Sequence, residues 1–173
     1  PVHGRTTDIL IENGIIRKIA ENIQDKDCQI ISKPNIHVSA GWMDCFANFC
    51  DPGQEYKETV TSGAMAAAAG GFTDVMLIPN TQPVVSNKAQ VDYLVQKGKD
   101  TPVNIYPIGA ITQNADEKEL AEMYDMASAG AIAFSDGRKP IQSSGILQKA
   151  LEYVMAIDSV IIQLPDDQSI GRY

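Results

Sequence analysis

Phe46, Asn48 and Cys50 recur at every second position along an apolar run, a spacing that places all three on one face of a strand. Cys50 is a thiol that could act as a nucleophile beside a histidine. The chain's two histidines, His3 and His37, lie upstream in a different stretch, so an inert thiol is the favoured reading. Carboxylates come from Asp51, Asp136 and the adjacent pair Asp166 and Asp167. Asp166 and Asp167 with Asp51 could make an acid/base pair, and solvated loop acids are the plainer reading. Asn80 follows Pro79, where a carboxamide commonly satisfies loop backbone. Neither Gly70-Gly71 nor Asp136-Gly137 has the spacing of a phosphate loop, and both read as turns.

The elements that must position these residues fall into two textures. Asp8 to Glu12 and Ile15 to Ala20 are short apolar runs joined by Asn13-Gly14, a pair suited to the positive φ angles of a tight hairpin turn. Runs at Gln29 to Ser32 and Ile36 to Ser39 extend this to a small β-sandwich module over residues 1–40. From residue 41 to 173, apolar strands alternate with helical stretches, the pattern of a parallel sheet with crossover helices. Strand starts near Gly41, Thr73, Val103, Ala131 and Ser159 are spaced by 32, 30, 28 and 28 residues. A (β/α)8 barrel of typical size uses roughly 31 residues per unit. The fold class is therefore α/β, a partial (β/α)8 TIM-type barrel of about five βα units.

Helices are expected at Glu58 to Ala69, Lys88 to Lys99 behind Ser86 or Asn87, Glu117 to Ser128, and from Ser143 or Ser144 to about Ile157. Trp42 and Phe46 are expected in the core. Five units leave two sheet edges open, so the chain is expected to be the N-terminal portion of a longer protein, or a remnant whose edges another chain covers.

Composition narrows the function classes. With 44% hydrophobic and 21% charged residues the chain reads as an ordinary globular protein. A net charge of -8, with 14 scattered Lys and Arg, argues against a nucleic-acid partner. No apolar run approaches the roughly 20 residues of a membrane span, and the first residues lack the apolar centre of a secretory signal. Three cysteines without a C-x-x-C pair suit free thiols in a reducing compartment, and a cytoplasmic location is expected.

The segment Gly41-Trp42-Met43-Asp44-Cys45-Phe46-Ala47-Asn48-Phe49-Cys50-Asp51-Pro52-Gly53 resembles the first barrel strand of dihydroorotases, cyclic amidohydrolases that carry Asp-x-His-x-His-Phe-Arg-(Asp/Glu)-Pro-Gly there. Further likenesses are Glu58 to Thr73, Val75 to Thr81 against a Met-Pro-Asn-Thr run, Ala131 to Gly137 against Ala-Phe-(Ser/Thr)-Asp-Asp-Gly, and Ile161 to Ser169 against Val-Ile-x-His-x-Glu-Asp-x-Ser. The resemblance implies that Phe46, Asn48 and Leu164 stand where the family has metal-binding histidines. Cys50 stands where it has an arginine for the substrate carboxylate, Asn80 matches a substrate-contacting asparagine, and Asp136 is the residual metal candidate.

A phenyl ring has no lone pair to donate, and a carboxamide is a poor substitute for imidazole on zinc. A thiol cannot make the bidentate contact that arginine makes with a carboxylate. The resemblance thus implies a dihydroorotase-like homologue of pyrimidine biosynthesis that is catalytically silent, holds no cofactor and serves assembly. Its partner would be aspartate carbamoyltransferase or a second copy of itself, with neither nucleic acid nor membrane. The competing expectation is an active, zinc-dependent cyclic-amide hydrolase completed by strands beyond this chain.

Overall fold

The computed structural model describes residues 4–170 and divides into two compact units, the first ending at Ser39 and the second beginning at Ala40. In the first unit β1 (Asp8–Glu12) and β2 (Ile15–Ala20) pair antiparallel. The turn between them has φ of 51° at Asn13 and 74° at Gly14, the geometry for which Asn-Gly is suited. No strand forms at Gln29 to Ser32 or Ile36 to Ser39, contrary to the pattern of apolar residues. Ile30, Ile31 and Val38 are exposed there, and an apolar run without a neighbouring strand makes no ladder. The described residues of this unit therefore hold one two-stranded sheet rather than a sandwich.

The second unit is a curled half-barrel. Its sheet has the order β3 (Trp42–Ala47), β4 (Phe72–Leu77), β5 (Asn104–Gly109) and β6 (Ala133–Phe134), every neighbouring pair being parallel. Between the strands run α1 (Val60–Ala69), α2 (Lys88–Gly98) and α3 (Met123–Ser128), and α4 (Ser144–Met155) follows β6. The fifth strand is reduced to a single parallel bridge between Phe134 and Ile161, because β6 offers only two residues to pair with.

Capping decides where the helices begin. Thr59 and Ser62 form a capping box that starts α1 at Val60, which leaves Glu58 outside it. Asn87 rather than Ser86 caps α2, with Gln90 returning the bond, and Ser143 caps α4. The helix expected from Glu117 is the main discrepancy, since α3 starts only at Met123. The Thr112 hydroxyl accepts the amides of Asp116 and Glu117, and Glu117 has φ of 61°, so side-chain bonding to backbone displaces the helical turn.

Two apolar layers sandwich the sheet. The helix-side layer joins Val60, Val91, Leu94, Met126 and Val154 to Val75, Leu77 and Phe134 of the strands. The inner layer holds Met76, Ile78, Ile108 and Ala133, with Phe46, Tyr106 and Ile162 packed against them. Ile108 and Ala133 are fully buried at the centre of this layer, while Phe46, Tyr106 and Ile162 at its margin are half-buried. Trp42 does not join either layer. It is 64% exposed, because β3 is the edge strand of this sheet and nothing in the unit covers that position.

Candidate functional site

In a barrel of parallel strands, ligand-handling groups belong at the carboxyl ends of the strands. β3 ends at Ala47, so strict alternation reaches Phe46 but not Asn48 or Cys50. Phe46 enters the inner apolar layer. Asn48 turns back on itself, its Oδ1 accepting the Cys50 amide at 2.9 Å, and Cys50 takes a left-handed φ of 60°. Asn48 also lines a cleft of about 380 Å³ between β3 and α1, together with Asp44, Phe49, Glu58 and Gly63. Leu164 lines a separate cleft with Ile141, Gln142 and Leu147. The three positions therefore have three different surroundings and do not converge.

Asp51 is buried and faces the helices. Its Oδ2 accepts the Val60 amide at 3.0 Å, its Oδ1 accepts the Tyr93 hydroxyl at 2.7 Å, and Lys97 Nζ lies 3.5 Å from Oδ2. One carboxylate thus ties the loop after β3 to the first turn of α1 and to α2. Asp166 and Asp167 are exposed and bond elsewhere, Gln142 Nε2 donating to the Asp166 carbonyl and Ser169 to the Asp167 carboxylate. The structure places Asp51 and this pair in separate networks.

Asn80 and Asp136 meet through backbone. Asn80 Nδ2 donates to the Asp136 carbonyl at 3.0 Å, and Asn80 Oδ1 accepts the Arg138 amide at 2.9 Å. The Asp136 side chain turns inward, 1% exposed. Its Oδ1 accepts the amides of Ile111 and Thr112, both at 2.9 Å, and its Oδ2 accepts the Thr112 hydroxyl at 2.5 Å. Burial pushes the Asp136 carboxyl above its ordinary value, against the downward pull of the Thr112 hydroxyl and the Thr112 and Ile111 amides.

Thr112 and Glu117 carry structural roles that no motif announces. Both Glu117 contacts use Oε2, which accepts the Gln142 amide at 2.8 Å and the Ser143 amide at 3.1 Å, at the entry to α4.

A structural or catalytic zinc asks for three or four N, S or O donors. Phe46 and Leu164 offer none, the Asn48 oxygen is taken by Cys50, and both Asp136 oxygens already accept hydrogen bonds. Among the described residues no three His, Cys, Asp or Glu side chains come together in a metal-binding group. On these residues the donor set does not fit zinc.

The sequence profile of the family described as Dihydro-orotase-like matches residues 38–172. The chain belongs to the dihydroorotase-like family. It is 40% identical over 164 residues to the dihydroorotase of Ruminiclostridium cellulolyticum, covering 94% of this chain and 38% of that one. With the dihydroorotase of Acetivibrio thermocellus it shares 44% over 165 residues, covering 95% and 39%. The chain thus spans about two fifths of the length of these dihydroorotase-like relatives. Among solved structures, the L-hydantoinase (dihydropyrimidinase) from Arthrobacter aurescens superposes with a TM-score of 0.68 at 20% identity, over 95% of this chain and 38% of that one. That likeness carries the fold, and it agrees with a partial TIM-type barrel. No helix among the described residues is long and apolar enough to cross a membrane.

Proposed function

We propose that this chain is a catalytically silent member of the dihydroorotase-like family that keeps the fold for assembly. The observation that carries the reading is Phe46, an apolar ring within the inner layer of Met76, Ile78, Ile108 and Ala133. Hydrolysis of a ring amide by this family's chemistry needs a cation to polarise the carbonyl and activate water. Neither this half-buried ring nor the apolar layer it packs against gives such a cation a donor. The Asp136 carboxylate, which already accepts three hydrogen bonds from the protein, supports the same reading.

By resemblance, the assembly partner is aspartate carbamoyltransferase in the cytoplasm, with a second copy of the chain as the other occupant. Purification without chelator should yield less than stoichiometric zinc, and dihydroorotate hydrolysis should stay at background. Co-purification with a carbamoyltransferase would identify the partner. Turnover that rises with bound zinc would overturn the reading and establish an active cyclic-amide hydrolase.

A further inference from the structure

We propose that Asp136 is the positioning residue of the loop between β5 and α3, and that its carboxylate is committed to this loop rather than to any cation. This deepens the reading of a silent site and rests on it only for the statement that no cation competes.

The loop needs such an anchor. Asn114, Ala115 and Glu117 have φ of 57°, 50° and 61°, three left-handed residues within four positions and none of them glycine. Each is a strained conformation for a residue with a Cβ and persists only where its surroundings hold it. The holding groups form a chain of bonds that starts at Asp136. Its Oδ1 takes the Ile111 and Thr112 amides, and its Oδ2 orients the Thr112 hydroxyl. With its proton directed at Asp136, the same hydroxyl oxygen is free to accept the amides of Asp116 and Glu117, both at 3.1 Å. Those two bonds close the left-handed turn.

From there the order passes to α4. The positioned Glu117 accepts the Gln142 and Ser143 amides, and Lys139 Nζ donates to the Ala115 carbonyl at 3.1 Å. The loops after β5 and β6 are thereby stitched together. Asp136 acts through Thr112, and Thr112 through Glu117.

Hydrogen exchange on the intact chain tests this residue by residue. In Asp136→Ala the amides of Ile111, Thr112, Asp116 and Glu117 should exchange roughly tenfold faster or more, while those of Val91 and Leu94 in α2 keep their protection. Thr112→Val should release Asp116 and Glu117, and through Glu117 the Gln142 and Ser143 amides, while Ile111 keeps its protection, and Thr112→Ser should restore wild-type exchange. If Asp136→Ala does not fold, the two Thr112 variants decide the matter. Unchanged exchange at Asp116 and Glu117 in Thr112→Val would overturn the proposal. So would added zinc that slows the Ile111 and Thr112 amides of the wild type but not of Asp136→Asn. Turnover in the hydrolysis assay with these exchange patterns intact would sink the silent reading and leave the positioning role standing.

Discussion

The carboxamide of Asn80 lies against the α-carbon of Gly137, so that a Cβ at residue 137 would overlap it. Gly137 has φ of 63°, and Asn80 bonds the backbone on both sides of it, at Asp136 and Arg138. β4 and β6 are not neighbours in the sheet, yet this contact joins their carboxyl ends past β5.

Gly137→Ala is therefore expected to destabilise the chain by about 2 kcal/mol or more, from left-handed strain plus overlap. Asn80→Ala should cost about 1–3 kcal/mol through two lost hydrogen bonds. The double variant should fall well short of the sum, because removing the carboxamide relieves the overlap. Urea unfolding of the four proteins measures the coupling. Simple additivity would show that the overlap is not the source of the Gly137 requirement.

Asp51 organises the other side of the half-barrel, and Asp51→Ala should cost about 3 kcal/mol by leaving the Val60 amide and the Tyr93 hydroxyl unpaired. The same network predicts an alkaline limb. The Tyr93 phenol is pushed above 10.0 by burial and then by its bond to Asp51, and the Lys97 ammonium is raised above 10.5 chiefly by its contact with Tyr93. Groups raised in the folded state contribute stability that is complete below their unfolded values and is lost as pH climbs through the folded ones. Stability should thus decline above about pH 10. Tyr93→Phe should flatten part of that decline in urea titrations at pH 9 and above, and an identical slope would remove Tyr93 from the account.

Gly63 reverses a rule that the sequence invites. In the alanine-rich α1 it looks like a place where Gly→Ala would gain about 1 kcal/mol of helix propensity. In the folded chain Gly63 is buried, and a Cβ there would overlap the Phe49 ring. Gly63→Ala should therefore lose about 1–3 kcal/mol net, and Phe49→Leu in the same background should return part of it. A stabilised Gly63→Ala, measured by thermal unfolding, would show that the ring moves aside freely.

What could be read in advance was whatever neighbouring residues decide among themselves. Asn13-Gly14 marked the turn between β1 and β2 because its φ requirement lies in two residues. The starts of β3 to β6 followed within about two residues from the spacing of apolar runs, and the caps of α2 and α4 were narrowed to two neighbouring residues each, of which Asn87 and Ser143 make the bond. The rest depends on distant partners. Whether Trp42 is covered, whether Ile30 finds a neighbouring strand, and whether Glu117 joins a helix or Thr112 are settled by what lies across the fold. The candidate site shows the same division. The residue types at 46, 48 and 164 were visible, whereas their separate surroundings depend on β3 ending at Ala47 and on Leu164 lying beside Ile141 and Leu147.

Putting an imidazole back at position 46 should make the protein worse. In Phe46→His the half-buried ring would pack against the apolar layer of Met76, Ile78, Ile108 and Ala133, so the part of the imidazole facing that layer gives up water to an apolar surface. The smaller side chain would also leave part of the phenyl volume empty. A loss of about 2–3 kcal/mol at neutral pH is expected. Because apolar burial lowers the folded pKa of a histidine, the unfolded chain would bind more protons in acid, and the deficit relative to wild type should grow as pH falls through about 6.5. Zinc content should not rise, since Asn48, Leu164 and the committed Asp136 supply no further ligand. Stoichiometric zinc together with a recovered melting temperature in this single variant would show that a metal centre is latent in the half-barrel.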